Sequence, residues 1–169
     1  SHSFQNGPGN VYTNAYKLHY KTNIKNVQIN SYLGFLDDKN EYISCTTGAT
    51  EDGGPGSINT TKPKQTYIAS LQADMPLGNH VLTLGADYKM YNAVGEEWNL
   101  SDWANADSKT SMKSSMAGKQ KIYAPFAQAE INILNGLKSY LGLRYDYWNN
   151  IDGRSSYGPS DTTYMNTSS

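Results

Sequence analysis

Apolar and polar positions alternate with a period of two along six stretches of this chain. Residues 12 to 21 set Tyr12, Tyr16, Leu18 and Tyr20 against Lys17, His19 and Lys21, and residues 27 to 36 set Val27, Ile29, Leu33 and Phe35 against Gln28, Asn30, Tyr32 and Gly34. Residues 67 to 75 oppose Tyr67, Ala69, Leu71, Ala73 and Met75 to Ile68, Ser70, Gln72 and Asp74; residues 81 to 91 oppose Leu82, Leu84, Ala86, Tyr88 and Met90 to Thr83, Gly85, Asp87 and Lys89. Residues 122 to 133 alternate Tyr123, Pro125, Ala127, Ala129, Ile131 and Ile133 with Ala124, Phe126, Gln128, Glu130 and Asn132. Residues 138 to 148 set Leu141, Leu143, Tyr145 and Tyr147 against Gly142, Arg144, Asp146 and Trp148. Successive side chains of a strand point to opposite faces, so each stretch predicts a two-faced strand. Every charged residue in the six falls on the second face.

The connections alternate too. Residues 22 to 26, 76 to 79 and 134 to 137 are terse, and Pro76-Leu77-Gly78-Asn79 and Asn135-Gly136 carry reversal chemistry. Residues 37 to 66, 92 to 121 and 149 to 169 are long, polar and read as loops. Short turns at one end, long loops at the other and one uncharged apolar face predict an all-β, antiparallel transmembrane β-barrel. The segments are close to the roughly 9–11 residues that a tilted spanning strand needs. A charge on the lipid side costs about 2–4 kcal/mol at the midplane, which explains the segregation. A soluble β-sandwich also alternates, so a carbohydrate-binding sandwich stays open as an alternative. Six strands are too few to close the smallest barrels, of about eight, so residues 1 to 169 are expected to form part of a larger barrel. Pro125 donates no ladder hydrogen bond and predicts a bulge early in its strand.

Composition narrows the function classes. A hydrophobic share of 37% and a mean hydropathy of −0.67 are meagre for a filled soluble core but suit a barrel with a polar lumen. Fourteen tyrosines and three tryptophans suit side chains that gather where apolar surface meets water. A net charge of −1 offers no basic surface for nucleic acid. No apolar run reaches the roughly 18 residues of a helical span, and residues 1 to 7 lack the features of a secretory leader. Cys45, the sole cysteine, makes no internal disulfide. No G-x-S-x-G, H-x-x-x-H or C-x-x-C spacing supports an enzyme, a metal site or a cofactor; an outer-membrane hydrolase built around His19 is the weakest alternative.

Three ordered segments carry a family resemblance: His80-Val81-Leu82-Thr83-Leu84-Gly85-Ala86-Asp87-Tyr88-Lys89, then Tyr123-Ala124-Pro125-Phe126-Ala127-Gln128-Ala129-Glu130-Ile131, then Leu141-Gly142-Leu143-Arg144-Tyr145-Asp146. Together they resemble the mid-barrel region of TonB-dependent outer-membrane receptors. The resemblance implies a barrel of about 22 strands around an N-terminal plug. It also implies residence in the cell outer membrane of a Gram-negative bacterium and uptake of a ferric siderophore, haem or cobalamin energised by the TonB complex. No plug or TonB-contacting segment is found in this sequence. A passive or structural barrel, porin-like or adhesive, is the alternative within the membrane class.

Binding in such a receptor falls to loop and upper-lumen side chains. Trp98 and Trp103 in the loop, and Tyr32, Tyr91, Arg144 and Trp148 on the lumen side, are the candidate substrate-binding residues. Packing of the two tryptophans within the loop, and a wall ion pair between Arg144 and Asp146, are the competing readings. Asp37, Asp38, Glu51 and Asp52 offer oxygen ligands, but their spacing matches no calcium loop. Lys109, Lys113, Lys119 and Lys121 make the second loop locally basic and suggest contact with outer-membrane lipid and lipopolysaccharide, or with an acidic siderophore complex.

Overall fold

The computed structural model describes residues 6 to 158 and 161 to 168 as a single antiparallel sheet. Its strands are β1 (Asn6–Ile24), β2 (Val27–Cys45), β3 (Gly56–Leu77), β4 (His80–Leu100), β5 (Lys109–Leu134), β6 (Leu137–Arg144), β7 (Tyr147–Tyr157) and β8 (Asp161–Ser168). Each strand pairs with the next in sequence, except that β6 and β7 lie end to end along β5.

Register fuses the separate alternations into two continuous faces. Leu18, Leu33, Ala69, Tyr88, Tyr123 and Tyr147 lie in one cross-strand row, and Ile29, Ala73, Leu84, Ala127 and Leu143 lie in another nearer the tight turns. Aromatic rings mark the opposite edge of this apolar band. Phe35 meets Tyr16 at 6.2 Å and Tyr67 at 4.9 Å between centroids, and Tyr123 meets Tyr88 at 5.0 Å and Tyr147 at 6.4 Å. No second layer covers the band among the described residues, and Leu84 (43%), Ile131 (37%) and Leu143 (77%) stand exposed. A sandwich would bury those three against a facing sheet. The sandwich alternative therefore has no structural support.

The strands run well past the predicted ends. Of the expected loops, only residues 46 to 55 and 101 to 108 lie between strands; the remainder of 37–66 and 92–121 continues β2, β3, β4 and β5. Most of 149–169 is the β7/β8 hairpin, so the described residues hold eight strands where about six were expected. Alternation fades beyond the aromatic band because both faces there meet water, which removes the pressure for an apolar side while the hydrogen-bond ladder continues.

Pro125 departs from expectation as well. It lies deep inside β5, and the register is unbroken across it: Tyr123 pairs with Tyr147 and Phe126 with Arg144. There is no bulge at this point. Tyr145 donates its amide to the Pro125 carbonyl at 3.0 Å. An antiparallel pair normally exchanges two such bonds, and proline has no N–H to return the second. That gap in the ladder is where β6 ends and β7 begins. Register slips elsewhere, above all in β3 between Lys62 and Gln65, where three steps of β3 match two of both β2 and β4, and in β7 opposite Ala117 to Lys119 of β5.

Candidate functional site

The polar face carries a hydrogen-bonded wall. Arg144 donates from Nη1 to Asp87 Oδ2 at 2.7 Å and from Nε to both Asp146 carboxylate oxygens at 3.0 Å, while the Ser70 hydroxyl donates to Asp87 Oδ1 at 2.7 Å. Asp74 gathers Asn30 at 3.2 Å, Gln72 at 2.8 Å and Thr83 at 2.8 Å. Ionised acceptors with several donors hold a fixed geometry, so these clusters tie β2, β3, β4 and β6 together.

Two glycines make room for rings on the same face. A Cβ at Gly85 would lie 2.3 Å from the Phe126 ring and 2.8 Å from the Leu71 carbonyl, and one at Gly34 would lie 2.9 Å from the Tyr32 hydroxyl. Phe126 thus lies over Gly85, its cross-strand partner. The alternation had placed both on the polar face without joining them; register is the signal that does.

The candidates divide into two groups. Tyr32 lies opposite His19 and Ser70, Tyr91 opposite Thr66 and Gln120, Arg144 opposite Phe126 and Trp148 opposite Ile122, all on the polar face. Trp98 lies opposite Ile58, in a row continuous with the apolar face, and packs with Trp103 against buried Ile43, Ile58 and Leu100. Trp103 donates its indole N–H to the Thr50 carbonyl at 3.0 Å and its backbone N–H to Gly54 at 2.8 Å; its Cβ lies 2.7 Å from where a Cβ on Gly56 would stand. Asp102 Oδ1 accepts from the amides of Gly54 and Ala104 at 3.3 and 3.1 Å. The tryptophans therefore fasten loop 101–108 onto loop 46–55, and the structure does not bring them to the other four.

Ion pairs brace the same hairpins. Lys62 meets Glu96 at 2.5 Å and Lys113 meets Glu97 at 2.7 Å. The Lys62 hydrogen bond holds the Glu96 carboxyl below its usual value, against the opposing effect of burial. Burial pushes the Glu97 carboxyl up, but Lys113, Ser57 and Ser114 together outweigh it, so Glu97 is also lowered. Asp37 and Asp38 lie within β2, apart from Glu51 and Asp52 in the loop, so the four form no cluster. Among the described residues no three His, Cys, Asp or Glu side chains group as metal ligands.

A family model described as TonB dependent receptor-like, beta-barrel matches residues 1–169. The chain belongs to the TonB-dependent receptor barrel family. A search of curated proteins returns no significant match. For a receptor barrel of this family the apolar band is the lipid side and the polar face the lumen. From Met75 to Tyr67 the band covers eight residue steps, or about 26 Å along the strand; a tilt of roughly 40° reduces that to about 20 Å. This approaches the roughly 25 Å apolar band of outer-membrane barrels. Residues above it belong to hairpins that project into water.

Proposed function

We propose that this receptor barrel takes up a scarce nutrient, a ferric siderophore, haem or cobalamin, across the outer membrane of a Gram-negative bacterium, driven by the TonB complex. The observation that carries this reading is the family match over the whole sequence together with an uncovered apolar band and a hydrogen-bonded polar wall. Tyr32, Tyr91, Arg144 and Trp148 supply aromatic and charged groups on the lumen side, where cargo would pass. The braced hairpins above them form a rim that cargo meets first. Work here is binding and passage, with no covalent step.

Growth of a strain lacking the protein, supplied with single defined sources of iron or with cobalamin, tests the proposal. Expected is a defect on one source, restored by the intact protein and abolished again when TonB is removed. Equal growth on every source, or restoration that persists without TonB, would overturn it in favour of a passive barrel.

A further inference from the structure

On the lipid side, just above the aromatic rings, the sheet carries a shallow groove of about 460 Å³. Side chains of Asn92, Val94, Ala117, Lys119 and Arg154 form its walls, because their register rows continue the apolar face; the backbone of Ala93, Gly118 and Gly153 forms its floor. Small floor residues keep the groove open: Gly118 and Gly153 oppose each other with 4.0 Å between a Cβ built on one and the Cα of the other. β4, β5 and β7 each have neighbours on both edges, so closing a barrel covers none of this surface.

Its charge is arranged by height. Going up β5 on this side, Tyr123 comes first, then Lys121 in the row of Met90, then Lys119 in the row of Asn92, with Arg154 one row higher on β7. Lys121 and Arg154 have no ion pair among the described residues, and Lys119 meets Asp152 at 2.9 Å. Lys119 and Arg154 line the groove with a single carboxylate among the described residues, Asp152, and Lys121 lies one row below on the same face, so three cations surround one anion. Cations above an aromatic belt lie at headgroup depth, where anionic lipid attracts them.

We propose that this groove binds the phosphorylated headgroup of an outer-leaflet lipid, with Lys119, Lys121 and Arg154 as donors to phosphate and the acyl chains lying against Tyr88, Tyr123 and Tyr147. The expectation of a basic loop is thereby divided. Lys113 pairs with Glu97 on the lumen side and takes no part. The proposal depends on the family's barrel orientation and not on which nutrient is carried.

The full-length receptor, in phosphatidylcholine nanodiscs, is titrated with lipid A bearing two phosphates, with its dephosphorylated form, and with inorganic phosphate as competitor. Expected is retention of the phosphorylated lipid alone, unaffected by inorganic phosphate, with affinity falling about fivefold for each cation removed in Lys119→Gln, Lys121→Gln and Arg154→Gln. Asp152→Asn, which keeps a residue tolerant of the observed φ of 55°, should tighten binding several-fold. Lys109→Gln with Lys113→Gln should leave it unchanged. If the triple variant fails to fold, shown by lost heat-dependent mobility, Arg154→Gln and Asp152→Asn alone decide. Equal retention by wild type and variants, equal retention of the dephosphorylated lipid, or displacement by inorganic phosphate overturns the proposal.

Discussion

Replacing Trp103 with alanine should release the two outer loops from each other while leaving the membrane-level sheet intact. Truncating a fully buried Trp costs about 3–5 kcal/mol. Trp103 is partly buried, so about half of that applies, and loss of the indole hydrogen bond to Thr50 adds about 1 kcal/mol. The sum, about 2.5–3.5 kcal/mol, falls on a local opening because, among the described residues, loops 46–55 and 101–108 are joined to the rest of the sheet through the Ile43, Ile58 and Leu100 cluster and their own strands. At about 1.4 kcal/mol per factor of ten, amide exchange in the clamp should speed up roughly 60- to 300-fold. The reporters are the amides of Thr46, Thr50 and residue 103, which bond to Pro55, Gly53 and Gly54. Amides in the Leu33, Ala69 and Tyr88 row should keep their protection. Unchanged exchange at the three reporters would refute the clamp, and a uniform acceleration through both regions would refute its independence.

Four further outcomes follow from the same geometry. Gly85→Ala should destabilise the barrel by about 1–3 kcal/mol in reversible unfolding, since the new methyl meets Phe126 and the Leu71 carbonyl; adding Phe126→Ala should recover only part, because the carbonyl remains. Leu84→Arg should cost about 2–4 kcal/mol in the same measurement, whereas Asn92→Arg, four residues further up the same side, should cost little. Glu96 and Glu97 are lowered from 4.5, so their contribution is complete above that value and disappears as pH falls through their folded values; exchange in the outer hairpins should therefore rise as pH drops below 4.5, with no change between pH 6 and 8. Pro125→Ala should supply the missing donor to Tyr145, seen as a protected amide at position 125, with unfolding shifted by under about 1 kcal/mol because the gained bond and the lost chain stiffness oppose each other.

Much of this architecture was legible in period-two alternation, because two solvents press on opposite sides of each strand and sort its residues. The tight turns were legible for a similar reason: Gly78 and Gly136 adopt φ of 62° and 85°, which glycine enters freely. Alternation failed where one residue slips. Counting upward from Leu71 and Ala69 by twos reaches Thr61, Asn59 and Ser57, yet the bulge between Lys62 and Gln65 transfers the lipid-side positions to Lys62, Thr60 and Ile58. Nothing local to Ile58 announces that change, so the cluster it builds with Ile43 and Leu100 was hidden. The Arg144 wall was half visible, since Asp146 is near in sequence and Asp87, 57 residues away, is joined only by register.

Strand ends were the least legible feature, and the cause is the same boundary that positions the proposed lipid groove. Along β2 the lipid-side residues run Ile29, Ser31, Leu33, Phe35, Asp37, Lys39; along β5 they run Ala127, Pro125, Tyr123, Lys121, Lys119. Both strands pass from apolar to charged within about one row, although their backbone pairing continues unbroken through it. The ladder is indifferent to which solvent lies outside, whereas the side chains are not. A charged residue above that row keeps its hydration, and one below it does not. What alternation reports is therefore the depth of the hydrocarbon and not the length of the strand. The hairpins that rise beyond it are held by a hydrophobic clamp and ion pairs of their own, so they can present a stiff rim to arriving cargo without depending on lipid for their order.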